Sequence, residues 1–293
     1  MADEVGPSRG GETGMGGGAS GSAAAGKGDG AFVGSWGGRP VAVVTGASSG
    51  IGYELARVCA LNGYDLVVAA DNPEIKDCGQ RIARLGVNVR AVEADLATEK
   101  GVDQLHDATK ELKLPVDILC ANAGRGLGHD FLGQDWKEIR DVIDTNIIGT
   151  VYLLRKFLPD MCLRRKGRIL ITGSIAGFIP GTYQAVYNGT KAFIDSFAYA
   201  LRHELKKKGI TVTCLMPGAT ETEFFRRAGM MDTRAGQRKK DDALKVAIAG
   251  FNAMMRGKGS VVPGLKNKLQ AAAGGILPQG LTAELHRIQA QPQ

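Results

Sequence analysis

Short apolar runs alternate with amphipathic stretches along the chain from Arg39 onward. The apolar runs have the length of β-strands and contain few polar residues, which is typical of strands buried on both faces of a sheet. The stretches between them carry apolar residues at helical spacing and can return the chain to the same edge of the sheet. The predicted strands lie near Val41 to Thr45, Asp65 to Ala70, Asn88 to Glu93, Asp117 to Ala121, Arg168 to Gly173, Thr211 to Met216 and Ser260 to Pro263.

This alternation predicts an α/β fold, a doubly wound Rossmann-type parallel sheet of about seven strands with helices on both faces. A length of 293 residues suits one such domain. Ligands of these sheets bind at the carboxyl ends of the strands. The side chains with candidate chemistry are therefore expected at that edge.

The domain is predicted to span residues 39–264, with a lid over the ligand edge at about residues 219–240. Residues 265–293 are interpreted as a C-terminal helical extension that caps the pocket or contacts another subunit. Glycine and proline are expected to break this extension, because both disfavour a helix interior. These positions are Gly274, Gly275, Pro278 and Gly280.

Residues 1–38 are rich in Gly, Ala and Ser. Such residues bury too little apolar surface to offset the entropy lost on ordering, so we predict a disordered tail. Phe32, Val33 and Trp36 are large apolar exceptions. We expect them not to dock on the domain.

The formal net charge is +7, from 37 Lys and Arg against 30 Asp and Glu. The basic residues are scattered and aromatic residues make up only 6% of the chain, so no nucleic-acid partner is expected. No apolar run has the length of a membrane span, and none resembles a secretory signal. We therefore expect a cytoplasmic protein without a membrane span.

The cysteines are widely spaced and fall within predicted helices or strands. We interpret them as reduced, buried thiols rather than as a disulfide framework. No metal-ligand spacing is present, so no metal is expected. The cysteines are Cys59, Cys78, Cys120, Cys162 and Cys214.

A glycine-rich turn follows the first predicted strand, with Gly46, Gly50 and Gly52 in the run TGASSGIG. Glycine permits a tight reversal and a close approach of the backbone to a ligand. The helix that begins near Ile51 offers unpaired N–H groups and the positive end of its dipole. The turn therefore predicts a dinucleotide pyrophosphate site, although its spacing differs from G-x-G-x-x-G.

Tyr187 and Lys191 are four residues apart, which places both side chains on one face of a helix. A nearby ammonium group favours the phenolate and is expected to bring the phenol pKa closer to working pH. Ser174 follows the apolar run RILITG, where its hydroxyl can hydrogen-bond a substrate oxygen beside the Tyr187 phenol. This arrangement predicts a general acid or base at Tyr187.

Together the runs TGASSGIG, CANAG, DTNIIG, GS, YNGTK and PGATET resemble the classical short-chain dehydrogenases/reductases over roughly Arg39 to Gly264. The resemblance implies an NAD(P)-dependent oxidoreductase that transfers hydride between nicotinamide and a secondary alcohol or ketone. The implied catalytic residues are Asn146, Ser174, Tyr187 and Lys191. It also implies a homodimer or homotetramer, built on helices near Trp136 to Leu163 and Val186 to Lys207.

The resemblance also assigns cofactor contacts. Asp95 and Leu96 match an adenine contact, with a helix cap as the alternative for Asp95. Asn146 matches a residue that holds a water linking the catalytic lysine to solvent, with a self-satisfied core amide as the alternative. The cofactor-binding positions are Gly46, Ser48, Ser49, Gly50, Ile51, Gly52, Asp71, Asp95, Leu96, Asn122, Ala123, Gly124, Tyr187, Lys191, Pro217, Gly218 and Thr222.

Asp71 follows the second strand, where a carboxylate can accept hydrogen bonds from the adenosine ribose and repels a 2′-phosphate. Neither the glycine turn nor Asn72 offers a cation for that phosphate. NAD is therefore favoured over NADP. Relatives that prefer NAD more often carry the acid one place earlier, where Ala70 stands here.

Apolar residues beside the predicted pocket favour an apolar substrate, although helical spacing also suits core residues. A basic cluster in the lid leaves open a second reading, an NADPH-dependent ketoacyl-thioester reductase with an anionic substrate. A non-catalytic cofactor sensor is a third. The apolar residues are Phe178, Ile179, Phe224, Phe225, Met230 and Met231, and the basic ones Arg226, Arg227, Arg234, Arg238, Lys239 and Lys240.

Overall fold

A computed structural model describes residues 36–292. The observed strands match the predicted ones within a residue or two at their ends. The observed strands are β1 Val41–Thr45, β2 Asp65–Ala70, β3 Val89–Glu93, β4 Val116–Ala121, β5 Gly167–Thr172, β6 Ile210–Leu215 and β7 Ser260–Val261. The predicted doubly wound sheet is confirmed, because these seven strands pair in parallel in the order β3-β2-β1-β4-β5-β6-β7.

Helices cover both faces of the sheet. They are α1 Gly50–Leu61, α2 Glu74–Ala83, α3 Glu99–Lys110, α4 Trp136–Ile143, α5 Thr150–Arg164, α6 Ala185–Leu205, α7 Phe224–Arg227, α8 Arg234–Gln237, α9 Ala243–Met255, α10 Leu265–Ile276 and α11 Gln279–Ala290. The side chains of β1 alternate between the two faces: Val41 and Val43 belong to the core beneath α3, α5 and α6, whereas Ala42 and Val44 belong to the core beneath α1, α2 and α9.

The strand order reverses at β1, since the chain builds β2 and β3 on one side and then β4 to β7 on the other. The connections that leave β1 and β4 therefore run to opposite faces of the sheet, which opens a crevice between them. A ligand site is expected at this point.

The apolar pattern around Asn146 predicts a long helix, but that helix is interrupted. Residues Asp144–Gly149 form a π-helical turn between α4 and α5. Such turns are rare and are frequent at functional sites.

The prediction for the C-terminal extension was partly wrong. Gly274 and Gly275 lie inside α10, and Gly280 lies inside α11, so none of them ends a helix. Only Leu277 and Pro278 separate the two helices. Packing outweighs glycine's low helix propensity here, because α10 lies against the helical turn Ile175–Phe178.

The predicted tail lies almost wholly outside the described residues, and so do Phe32 and Val33. Trp36 is described, and it packs against the core cluster of β1, α3 and α5. The expectation that it stays undocked was wrong, because its indole finds apolar surface at the edge of this core.

Within the described residues, no helix is long and apolar enough to cross a membrane. No group of three His, Cys, Asp or Glu side chains in residues 36–292 is placed to hold a metal ion. All the cysteines are free thiols, and Cys162 is partly exposed rather than buried as predicted.

Candidate active site

The glycine turn after β1 has no room for side chains. A Cβ atom on Gly52 would lie 2.1 Å from the Gly46 carbonyl oxygen, and one on Gly50 would lie 2.6 Å from Thr222. Gly46 and Gly50 also have positive φ angles of 65° and 54°. Ser49, which precedes α1, makes no side-chain cap, so its hydroxyl leaves the N–H groups of the first turn uncapped. The turn therefore fits the phosphates of a dinucleotide.

Two threonines that the sequence reasoning assigned no role join the ends of β1, β4 and β5. The Thr45 hydroxyl accepts hydrogen bonds from the backbone N–H groups of Asn122 (2.9 Å) and Ala123 (3.0 Å). The Asn122 amide donates to the Thr45 carbonyl (3.0 Å), and its oxygen accepts from the Thr172 hydroxyl (3.0 Å). These bonds hold the loop of Gly124 beside the glycine turn.

Ser174 and Tyr187 come together at the end of β5. The Ser174 hydroxyl accepts from the Ala176 N–H (3.1 Å) and lies 3.4 Å from the Pro217 carbonyl. Burial raises the pKa of Tyr187 to about 12, against a smaller lowering effect of its hydrogen bond with Ser174. The phenol is therefore protonated at neutral pH.

Lys191 does not act on Tyr187 as the spacing predicted. Its Nζ lies 5.9 Å from the centroid of the Tyr187 ring and donates to the Thr172 carbonyl (2.9 Å). Burial lowers the pKa of Lys191. The expected approach of the phenol pKa to working pH is wrong for this structure, because desolvation of both groups outweighs their attraction.

Asn146 lies in the π-helical turn and its amide is fully used by protein groups. Its Oδ1 accepts from the Arg125 N–H (2.8 Å), and its Nδ2 donates to the Arg125 carbonyl (2.9 Å) and the Thr190 hydroxyl (2.9 Å). The bonds are those of a satisfied core amide, which clamps the backbone of Arg125. The water-holding role stays a prediction.

Asp71 faces the cavity at the end of β2, as predicted, but it is paired. Its Oδ2 lies 2.5 Å from Nη2 of Arg125, and its Oδ1 accepts from the amide of Asn72 (3.1 Å). Asn72 also bonds the Ser48 hydroxyl (3.1 Å). The sequence reasoning missed Arg125, because 54 residues separate it from Asp71 and no local spacing connects the two.

The helix-cap alternative for Asp95 is wrong. Thr98 is the N-cap of α3, since its hydroxyl accepts from the Gly101 N–H (3.0 Å). Asp95 accepts from the Ala97 N–H (3.1 Å) and lines the same cavity as Leu96. Both side chains can therefore contact the adenine of a bound dinucleotide.

All the predicted cofactor and catalytic residues except Asn146 line one cavity of about 1150 Å³. Pro217, Gly218 and Thr222 follow β6, which is four strands away from β2, whose end carries Asp71. Together with the glycine turn, this set fits a nicotinamide dinucleotide laid across the crevice.

The lid and the C-terminal helices close the other side of this cavity. Of the predicted apolar wall, Ile179, Phe224 and Phe225 line it, as do the basic side chains Arg227, Arg238, Lys239 and Lys240. The remaining wall residues do not: Met230 is buried in a small core that the lid shares with Ala290 of α11, whereas Met231 and Phe178 are partly exposed to solvent.

His286 of α11 also lines the cavity, and the sequence reasoning missed it. Its Nδ1 lies 2.8 Å from the Thr182 carbonyl, and burial lowers the pKa of the imidazole. The signal was present only as a lone histidine in a helical segment, which does not by itself indicate a site.

Asp195 is a further residue that the sequence reasoning missed. Its carboxylate is buried behind Ser174, accepts from the Ser174 N–H (3.3 Å) and the Cys214 thiol (3.4 Å), and has no partner for Oδ2 among the described residues. Burial raises the pKa of Asp195 to about 6, and the nearby Lys191 only partly offsets this effect.

We expect the Asp195 carboxyl to make the unfolding free energy depend on pH between about 4 and 6. The folded protein binds this proton more tightly than the unfolded chain, so stability falls as pH rises through this window, by about 3 kcal/mol. Chemical unfolding at a series of pH values measures the unfolding free energies of wild type and Asp195→Asn. If the difference between these two free energies stays constant from about pH 4 to 6, the expectation is contradicted.

Comparison with known proteins identifies related sequences and folds. Residues 40–232 match the family model of the short chain dehydrogenase. An uncharacterized oxidoreductase of Staphylococcus saprophyticus is 34% identical over 221 residues, which cover 74% of this chain and 91% of that protein.

Two solved structures share the fold over most of their length. A short-chain dehydrogenase from Sphingobium yanoikuyae in complex with NADPH has a TM-score of 0.72 and 29% identity, covering 86% of this chain and 98% of that one. A bulky-bulky ketone specific alcohol dehydrogenase from Comamonas testosteroni has a TM-score of 0.68 and 27% identity, covering 84% and 94%. With its seven-stranded parallel sheet and the matched family model, the chain belongs to the short-chain dehydrogenase/reductase family.

Proposed function

We propose that this protein is an NAD(P)-dependent oxidoreductase that interconverts a secondary alcohol and a ketone, with Tyr187 as the general acid or base. One observation carries the proposal: the Tyr187 phenol, bonded to Ser174 and beside Lys191, lies in the same cavity as a glycine turn built for phosphates. Family membership and the ketone-specific relative support the reaction class.

The chain's own groups act on the substrate oxygen. A bound nicotinamide supplies or accepts the hydride. In reduction, the protonated Tyr187 phenol donates its proton to the carbonyl oxygen, while the Ser174 hydroxyl donates a hydrogen bond to the same atom. In oxidation, the same two groups act in reverse. Lys191, on the same face of α6 as Tyr187, would hold the ribose hydroxyls of a bound nicotinamide cofactor.

We propose an apolar substrate and NAD as the favoured cofactor. Ile179, Phe224 and Phe225 supply an apolar wall beside Tyr187. At the other end of the cavity, the Asp71 carboxylate accepts hydrogen bonds from the ribose hydroxyls of NAD. Because the Sphingobium relative was solved in complex with NADPH, both NADH and NADPH are included in the tests.

The proposal is tested by cofactor binding and by turnover. We expect NADH to bind, as measured by its fluorescence, and we expect an absorbance change at the nicotinamide band with at least one substrate. The panel contains bulky apolar ketones, their alcohols, sterols and sugars. Failure of both NADH and NADPH to bind would overturn the proposal.

A second candidate is a ketoacyl-thioester reductase that uses NADPH. It is favoured by the four lid cations that line the cavity, since they can attract a phosphorylated acyl carrier. Ketoacyl thioesters in the panel separate it from the first candidate. Cofactor binding with no turnover on any substrate would favour the third reading, a cofactor sensor.

We also propose a homodimer or homotetramer that works in the cytoplasm. Phe193 and Tyr199 on α6 support this assembly, since each is more than two fifths exposed and Phe193 stacks on Phe197. Light scattering measures the mass in solution. A monomer at micromolar concentration would contradict the assembly and leave the chemistry untouched.

A further inference from the structure

The strongest unassigned feature is the ion pair between Arg125 and Asp71. Nη2 of Arg125 lies 2.5 Å from Oδ2 of Asp71, and the two side chains are 44% and 35% exposed. Neither residue belongs to the catalytic group around Tyr187. Both line the cavity that holds the glycine turn.

The ion pair spans the cofactor crevice. Asp71 follows β2 and Arg125 belongs to the loop after β4, and β1 lies between these two strands. Outer strands of such a trio are about 10 Å apart, so the Arg125 side chain must extend across the carboxyl end of β1. The glycine turn starts at that end.

The backbone of Arg125 is held by Asn146, whereas its side chain is 44% exposed at the cavity. Asn146 bonds both the N–H (2.8 Å) and the carbonyl (2.9 Å) of Arg125 from the π-helical turn. The guanidinium group donates to the Asp71 carboxylate and lines the cavity. The fixed backbone therefore places the guanidinium charge beside Asp71, where the adenosine ribose of a dinucleotide is expected.

We propose that Arg125 sets the cofactor selectivity, by neutralising Asp71 and supplying the cation for an adenosine 2′-phosphate. The proposal rests on the proposed use of a nicotinamide dinucleotide. A carboxylate at the end of β2 bonds the 2′-hydroxyl of NAD and repels the 2′-phosphate of NADP. A guanidinium group 2.5 Å from that carboxylate cancels the repulsion and offers a planar pair of donors to phosphate oxygens.

The sequence favours NAD because neither the glycine turn nor the position after Asp71 holds a cation. The structure supplies a cation from the loop after β4 instead. We therefore expect a small preference for NAD, with the two cofactors binding within about a hundredfold of each other.

Arg125→Gln tests the proposal through binding alone. Dissociation constants for NADH and NADPH are measured by fluorescence titration at fixed ionic strength, because phosphate contacts are salt-dependent. We expect the ratio of the NADPH to the NADH constant to rise at least fivefold in Arg125→Gln. Arg125→Lys keeps the charge and is expected to restore part of the ratio. Asp71→Asn is expected to lower the ratio at least fivefold.

Arg90→Gln is the matched control. Arg90 pairs with Glu111 at the same 2.5 Å distance on the edge strand β3 and lies outside the cavity lining, so its loss should leave the ratio unchanged. A ratio that changes less than fivefold in Arg125→Gln would overturn the proposal. So would equal weakening of both cofactors, or a wild-type protein that binds NADH more than a hundredfold tighter. Binding of neither cofactor to the wild type would instead overturn the proposed function itself.

Discussion

Replacing Tyr187 with phenylalanine should lower turnover at least about a hundredfold, because the variant cannot donate or accept the proton at the substrate oxygen. The phenol is buried beside Ser174, and burial raises its pKa to about 12, so it carries the proton that reduction requires. The phenylalanine ring keeps the contact with Phe224, whose ring centroid is 5.1 Å away. Cofactor affinity should therefore change less than threefold.

The measurement pairs steady-state turnover on the best substrate with NADH titration. Tyr64→Phe is the control, because Tyr64 packs against Phe251 beneath the sheet and its hydroxyl lies 4.0 Å from the Met255 sulfur, outside the cavity lining. Its turnover should match wild type. If Tyr187→Phe loses less than a hundredfold of turnover, Tyr187 is not the proton donor.

Replacing Gly52 with alanine should abolish cofactor binding, with a loss of affinity above about a hundredfold. The added methyl group would lie 2.1 Å from the Gly46 carbonyl oxygen and 2.5 Å from the Asn122 amide. Neither atom can retreat easily, since Gly46 belongs to the tight turn and Asn122 is bonded to Thr45. The turn must open, which misplaces the N–H groups that face the phosphates.

NADH titration and thermal unfolding are measured together for Gly52→Ala. Gly275→Ala is the control, because a Cβ atom there meets nothing within 4 Å and the residue lies in α10, where alanine is favoured. If Gly52→Ala does not fold, Gly50→Ala places the clash on the Thr222 side chain instead. NADH binding near the wild-type level in both variants would show that the glycine turn does not hold the cofactor.

Much of the fold was accessible from local pattern. Strands such as Val41–Thr45 and Asp65–Ala70 are wholly buried, and their unbroken apolar runs identified them and their parallel arrangement. The C-terminal extension was harder, because the contacts of α10 with the turn at Phe178 come from a distant part of the chain. Gly274 packs directly on Ile179 and Phe178, a contact that no helix propensity reports.

The candidate site was also only partly predictable from the sequence. The sequence alone identified Gly46, Ser174, Tyr187 and Lys191 as its residues. The strand pattern then predicted that they lie at one edge of the sheet. The state of these groups was decided only by the tertiary structure. Burial, rather than the four-residue spacing, controls the pKa values of Tyr187 and Lys191.

Contacts between residues far apart in the chain could not be predicted from the sequence either. Arg125 meets Asp71 across β1, Asp195 lies behind Ser174, and His286 reaches the cavity from the last helix. Sequence periodicity reports only neighbours within a few residues of one element, because it reflects which face of that element is buried. Charge pairing and desolvation depend on distances between residues far apart in the chain, which the packing of the whole domain determines.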